Sequence, residues 1–499
     1  MGGPVELKGP DLAVGAPLAD VPDGGMLLGH AHGEPVIVAR RGTQLYAVGA
    51  TCTHYSGPLA DGIIVGDSVH CPWHHACFDL RTGAASAPAF NPIPCYRVTQ
   101  TGDRVQVGEK LTPPVPSAQA QPGRVVIVGG GPAGGMAAEA LRRYGHSGSI
   151  VVLGAEATPT VDRTNLSKDY LAGNAPEEWM ELRGRDWYAE QKIDLRTGVK
   201  ATKLDLANKQ VTLESGAPVP YDALVLATGA EPVRLHIPGA ERAHYVRTLA
   251  DARAIIAEAK EGRRAVVIGS SFIGLEVAAS LRARKLDVTV VGKDEHPLER
   301  VLGRELSELV RSVHEKNGVR FALGRSPASI EASTVTLDDG TVLPAELVVC
   351  GIGVRPRTEL AEGAGLKVDR GIVVDAQLRA TEGVYAVGDV ARWPDPRSGE
   401  TVRIEHWVVA QRQGEAVART LLGQGEPYRT TPFFWSAHFD LTINYAGHAE
   451  RWDRLVIDGE LAARDAAVHY YLGEKLLAVA TVGRDRYALE VAQRFEAEP

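Results

Sequence analysis

Three textures of apolar and polar positions follow one another along the chain. Up to about residue 111 the apolar positions come in short runs, at 36–38, 45–48 and 104–107, broken by Gly, Pro and Asp. Runs of this length predict short strands and a small all-β domain. The stretch 112–123 is rich in Pro and lacks apolar periodicity, which predicts a semi-rigid linker. From Arg124 onward, apolar strand-like runs alternate with helix-like segments, the pattern of a parallel sheet with covering helices. The run Arg124-Val-Val-Ile-Val128 predicts a buried strand, 136–144 a helix and 149–153 a second strand. Arg264-Ala-Val-Val-Ile268 opens the same succession again.

At 499 residues the chain has room for about three domains. A hydrophobic fraction of 44% is that of a globular protein, and a net charge of −8 excludes the basic footprint of a nonspecific nucleic-acid binder. Five cysteines are too few for a disulfide framework in a chain of this size. The first residues, Met-Gly-Gly-Pro-Val-Glu-Leu, lack the basic and apolar regions of a signal peptide and do not match the myristoylation pattern. No uninterrupted apolar stretch of about 18 residues is present to span a membrane. A cytoplasmic protein is the expectation, with no nucleic-acid or membrane partner.

The chemistry begins at Cys52-Thr-His54 and Cys71-Pro-Trp-His74. Two mixed Cys/His pairs match the ligand set of a Rieske [2Fe–2S] centre, in which two thiolates hold one iron and two neutral imidazoles the other. The competing readings are a tetrahedral zinc site and unrelated core residues. Zinc accepts two Cys and two His, but its pairs are usually Cys-x-x-Cys and His-x-x-x-His. Cys77 and Cys95 are read as plain thiols.

Gly129-Gly-Gly131-Pro132-Ala133-Gly134 stands between a predicted strand and a predicted helix. In that context G-x-G-x-x-G lets backbone approach a pyrophosphate at a helix N-terminus. Glu156, just beyond the second strand, is placed to bond a ribose, with a solvated loop carboxylate as the bland alternative. The second copy, Gly269-Ser-Ser271-Phe272-Ile273-Gly274, has Ser271 in place of the middle glycine, a hydroxymethyl expected to crowd the pyrophosphate only slightly. Two such units imply two dinucleotides, or one nucleotide carrier and one bound flavin.

Further motifs carry a family resemblance. Leu226-Ala227-Thr228-Gly229 and Val384-Tyr-Ala-Val-Gly388-Asp389 look like the second and third flavin-site turns of the flavoprotein reductases that serve [2Fe–2S] and Rieske-type ferredoxins, a group that includes apoptosis-inducing factor. The whole chain resembles the Rieske-fused, apoptosis-inducing-factor-like subgroup. The resemblance implies FAD, a [2Fe–2S] cluster and NADH or NADPH as cofactors. Arg163 is expected near the flavin pyrophosphate and Asp389 on its ribityl chain. A catalytic Lys168–Glu276 ion pair is expected beside flavin N5. Glu405, His406 and Trp407 would form the return segment over the ring, and Trp435 an aromatic close to it, with an ordinary core role as its alternative. Ala201 is also expected among the flavin-binding positions. Gly353, in the loop Gly351-Ile-Gly353, joins Gly269 and Gly274 at the nicotinamide nucleotide.

The expected fold is therefore multidomain: an N-terminal all-β Rieske domain (1–111), a linker (112–123), and an α/β flavoprotein reductase with two dinucleotide-binding domains. The FAD-binding domain covers 124–247 and 377–429, the NAD(P)-binding domain 248–376, and a C-terminal α+β domain 430–499. Where high-potential Rieske proteins place a Ser and a Tyr that bond the cluster sulfurs, this chain has Ala76 and Phe78, which implies a low potential. Gly57 replaces the Cys that some Rieske proteins use for an inter-loop disulfide. Gly292 stands where NADH-selective relatives carry an acid, and Lys293 adds a cation. Asp294 or Glu295 remain as ribose partners, with the balance towards NADH.

The expected function is an NAD(P)H-dependent oxidoreductase that passes electrons through FAD to its own Rieske cluster and on to an unknown protein or small-molecule acceptor. The alternatives are a redox-sensing protein of the apoptosis-inducing-factor type and a flavoenzyme acting directly on a small molecule, with the Rieske domain as relay. A homodimer is possible in each case. No Cys-x4-Cys follows the first glycine motif, so disulfide-exchange chemistry is not expected.

Overall fold

The computed structural model describes residues 7–498 except 113, 115 and 116. The short apolar runs at the N-terminus assemble into two antiparallel sheets. The larger has the strand order Ala16–Pro17, Arg104–Lys110, Cys95–Thr101, Gln44–Gly49, Glu34–Arg41, Met26–Ala31. The smaller pairs Ile63–Val65, Ser68–His70, Cys77–Asp79 and Ala85–Ser86 in sequence order. Side chains alternate across a strand, so Val36 and Val38 enter one core and Ile37 and Ala39 another. That strand is buried on both faces, which is why it reads as a continuous apolar run.

The linker is partly tied down: Gln119 bridges to His146 of the following domain. Beyond it, a six-stranded sheet has the order Ile193–Arg196, Ser149–Leu153, Arg124–Val128, Ala223–Leu226, Val384–Ala386, Arg379–Thr381. All its pairings are parallel except the last. The helix α1 (Pro132–Arg143) follows the first strand. It starts a turn before the expected 136 because Pro132 takes the first helical position, where its missing N–H and fixed φ cost nothing.

A second, five-stranded parallel sheet repeats the plan: His244–Tyr245, Leu347–Cys350, Arg264–Ile268, Asp287–Gly292, Arg320–Leu323. Its helix α2 is Phe272–Ala283. Each unit also carries a three-stranded antiparallel meander, 201–220 in the first and 327–344 in the second.

Sheet pairing moves the boundaries between the two units away from those expected at 248 and 376. His244–Tyr245 already pairs inside the second sheet. The chain crosses between units through the paired strands Ala230–Pro232 and Val354–Pro356. Ala361, Ile372 and Val374 then pack in the core of the first unit. Strand pairing, invisible to local periodicity, decides the division.

Helix α3 (Trp407–Leu421) packs across α1. Gly414 makes that crossing close, since a Cβ built on it would lie 2.3 Å from the Ala133 carbonyl oxygen. The chain ends in a five-stranded antiparallel sheet ordered 433–438, 441–447, 475–482, 465–472, 454–460, followed by α4 (Asp485–Ala497).

Candidate functional site

The two Cys–His loops leave the small N-terminal sheet side by side and share one local design. Cys52 N–H donates to Gly57 O at 2.9 Å, and Cys71 N–H to Ala76 O at 2.8 Å. Ser56 N–H returns to Cys52 O at 3.0 Å, and His75 N–H to Cys71 O at 3.2 Å. The fourth residue after each cysteine is left-handed, with φ 58° at both Ser56 and His75. Two identical tight loops thus present Cys52 and His54 opposite Cys71 and His74.

The two sulfurs lie within hydrogen-bonding reach of each other, and the His54 and His74 rings meet edge-on with centroids 5.0 Å apart. The His54 N–H points at Cys52 Sγ, 3.5 Å away. Burial pushes both imidazoles down to about 3, so both are neutral at pH 7, the form that ligates a metal. His54 Nδ1 is buried with no protein partner.

Among the described residues, no three His, Cys, Asp or Glu side chains converge as a single-ion site requires. Two sulfurs on one side and two imidazoles on the other fit a two-iron cluster, with two protein ligands per iron, better than a tetrahedral zinc. Gly57 is required where it stands: a Cβ there would approach Cys71 Sγ to 2.7 Å. Cys77 and Cys95 are free thiols, as expected.

In the first α/β unit the three glycine turns come together. Gly129 has φ 118°, and a Cβ on it would lie 2.0 Å from Ala227 O, in the turn that continues to Thr228 and Gly229. A Cβ on Gly134 would meet Gly129 O at 1.9 Å. At Gly388, the third turn, a Cβ would lie 3.0 Å from the Ala133 Cβ, a looser contact than the other two. Gly131 is the N-cap of α1 and has no side-chain cap, leaving N–H groups for an anion. These features fit an FAD.

Around the turns, Arg163 bonds Glu156 and the Arg247 carbonyl. Arg247 Nη2 reaches Asp389 Oδ2 at 2.8 Å. Arg247 was not read from the sequence. Its only local signal is its position just before the capping box of Thr248 and Asp251. Ala201 lies in the antiparallel meander, paired with Leu213, rather than in one of the three turns.

The second unit repeats the clashes. A Cβ on Gly269 would lie 2.2 Å from Gly351 O, and one on Gly274 2.0 Å from Gly269 O. Ser271 turns its hydroxyl onto Gly351 O at 3.1 Å, away from crowding the turn. Phe272 and Ile273 form the first turn of α2, Ile273 exposed, and Gly353 is left-handed with φ 105°. Gly292 lacks a side chain for a physical reason: a Cβ there would meet Ser270 Oγ at 2.4 Å. Asp294 is held by Arg300 Nε at 3.0 Å, while Lys293 and Glu295 are exposed.

Lys168 and Glu276, from the first and second units, form the expected ion pair at 2.8 Å. Glu276 also accepts from Ser167 Oγ and Ser436 Oγ, both at 2.6 Å. Glu405 pairs with Arg403 at 2.6 Å. His406 packs on Phe434 with ring centroids 4.5 Å apart and caps α3, placing Trp407 on its first turn.

The N-terminal domain sits with its Cys–His loops against this region. His74 and Trp435 pack with ring centroids 4.2 Å apart, and His75 stacks on Phe433 at 3.8 Å. Tyr55, which touches both His54 and His74, donates to Asp162. Arg412 Nη2 bonds His75 O at 3.0 Å, and the Ala87 N–H donates to Glu415 Oε2 at 2.7 Å.

A family model for pyridine nucleotide-disulphide oxidoreductases matches residues 123–414. The chain belongs to that family. Models for the Rieske [2Fe–2S] domain and the reductase C-terminal domain match residues 13–97 and 433–497 of the oxidoreductase. It is 31% identical to apoptosis-inducing factor 3 of Mus musculus over 92% of this chain and 79% of that one. It is 38% identical to putidaredoxin reductase of Pseudomonas putida over 72% and 88%. Among solved structures it is similar to a covalent putidaredoxin reductase–putidaredoxin complex, with a TM-score of 0.73, 36% identity and coverage of 75% and 93%.

The protein is thus a ferredoxin-reductase-like oxidoreductase using FAD and NAD(H), fused to a Rieske domain with its [2Fe–2S] cluster. Its five cysteines are free thiols in the structure. Among the described residues, no helix is long and apolar enough to cross a membrane.

Proposed function

We propose that the oxidoreductase moves electrons from NADH through FAD to its own Rieske cluster within one chain, and from there to an acceptor. A nicotinamide gives up two electrons together as hydride and a Rieske cluster takes one at a time; bound flavin supplies the exchange between the two. The protein's residues provide the positions. Lys168, held by Glu276, places a cation where negative charge develops on the flavin ring. Cys52, His54, Cys71 and His74 hold the cluster, and Arg163, Asp389 and the glycine turns hold the FAD.

The observation that carries the reading is the contact of His74 with Trp435 at 4.2 Å. Trp435 is next to Ser436, which bonds Glu276. A cluster ligand thereby touches the strand that also supports the Lys168–Glu276 pair. Anaerobic NADH titration followed by EPR tests this. The reduced Rieske signal should appear with NADH alone. Trp435→Ala should slow its appearance at least tenfold, while flavin bleaching keeps its rate within twofold. A cluster that stays oxidised beside fully reduced flavin would sink the proposal.

A further inference from the structure

The two imidazoles of the cluster site have different surroundings. His74 is covered by Trp435. His54 lies on a cleft of about 480 Å³ between the Rieske domain and the FAD-binding unit. The glycine turns, Asp389, Lys168 and Glu276 do not line this cleft. Its walls are Phe90 and His54 from the Rieske side and Trp179, Arg183, Trp407 and Gln411 from the other. Gln411 is 0% exposed, yet both its amide oxygen and nitrogen lack a partner. A buried amide with neither group bonded is costly, and a partner in the cleft that Gln411 lines would complete its bonding.

Resting on the electron route above, we propose that this cleft is the outlet: it binds a small, flat, uncharged aromatic acceptor with ring carbonyls, of the quinone class, beside His54. Three aromatic walls suit a flat ring. The Gln411 amide N–H donates to a carbonyl and its oxygen accepts from the hydroxyl formed on reduction. An anion is disfavoured, because Asp162 and Asp169 lie on the lining and the charge of Arg183 is already met by Glu139 at 3.0 Å. The stoichiometry closes as NADH, one proton and a quinone giving NAD+ and a hydroquinone. Two electrons cross the cluster singly, and two protons convert both carbonyls to hydroxyls. Inlet at His74 and outlet at His54 let the docked domain work without swinging away.

The test uses the full-length holoenzyme and two probes. The redox-inert aryl ketone 1-tetralone should bind in isothermal titration. Gln411→Leu, nearly isosteric, and Trp179→Ala, at a residue 56% exposed, should each weaken binding at least fivefold. In turnover with menadione, the same variants should raise KM at least fivefold with the EPR-detected cluster reduction by NADH unchanged. Cys71→Ser should abolish the low-KM menadione activity. Unchanged tetralone binding in both variants, or undiminished menadione turnover in Cys71→Ser, overturns the cleft assignment. Absence of NADH-driven cluster reduction in the wild type overturns the electron route instead, so the two failures are distinguishable.

Discussion

Glu276 is a carboxylate with three protein partners and 3% exposure. Lys168, Ser167 and Ser436 reach it from two domains. Removing one partner of a buried pair leaves the other charge uncompensated, at a cost of about 3–5 kcal/mol. Glu276→Ala should therefore lower the melting temperature markedly and slow flavin reduction by NADH. Glu276→Gln keeps an acceptor oxygen for one serine and an NH2 that can donate to the hydroxyl of the other, but not the charge, so it should recover most of the melting temperature and little of the rate. Calorimetry and stopped-flow flavin bleaching separate the two effects; equal recovery of both would make the pair purely structural. The sequence placed Lys168 opposite Glu276 through the family motif. It gave no sign of Ser436, because a serine in a C-terminal strand carries no pattern that says which carboxylate it meets.

The glycine turns are where elements dictate chemistry. The two nucleotide units repeat one construction, in which the last glycine of each motif lies about as close to the first glycine's carbonyl as backbone permits. Gly134→Ala puts a Cβ 1.9 Å from Gly129 O, and backbone cannot yield as a side-chain tip can. The purified variant should lose its bound flavin absorbance. It should keep the Rieske EPR signal after chemical reduction, because the N-terminal domain has its own two cores. Flavin retained at wild-type occupancy would contradict this. Such turns are legible in a sequence because their spacing is local. So were the strand runs, Ser149–Leu153 among them, and the two ligand loops. The crossing strands Ala230–Pro232 and Val354–Pro356 were not, since each is short and its partner is remote in the chain. Arg247 escaped for the same reason: its meaning comes from Asp389, far along the sequence.

At the scale of the whole molecule, the question is what keeps the Rieske domain docked. One helix supplies two of the contacts: on α3, Arg412 holds the second ligand loop at His75 O and Glu415 accepts the Ala87 N–H. Arg183 adds a bond to Asn91 Oδ1 at 2.8 Å. Glu415 is buried, and around it stand Arg143 at 3.4 Å, Arg419 at 3.6 Å and the Tyr144 hydroxyl. Glu139 is the other carboxylate near this group. Burial alone would raise the Glu415 carboxyl, but Arg143, the Ala87 N–H, Tyr144 and Arg419 hold it below its ordinary value. A carboxyl depressed in the folded state contributes stability that is present above its unfolded pKa, about 4.3, and is lost as pH falls through the depressed value. That contribution to folding should therefore be present at pH 7 and be lost below that range, and the bond that carries it across to the Rieske domain is the one from the Ala87 N–H. Glu415→Ala should undock the domain already at pH 7. It would enlarge the radius of gyration in solution scattering and slow NADH-driven cluster reduction at least tenfold, with flavin reduction unaffected. Glu415→Gln, which keeps an acceptor for Ala87 but cannot ionise, should dock less firmly and lose the acid dependence attributable to this group. A compact Glu415→Ala protein with wild-type cluster reduction would show that Arg412, Arg183 and the His74–Trp435 contact suffice to hold the domain in place.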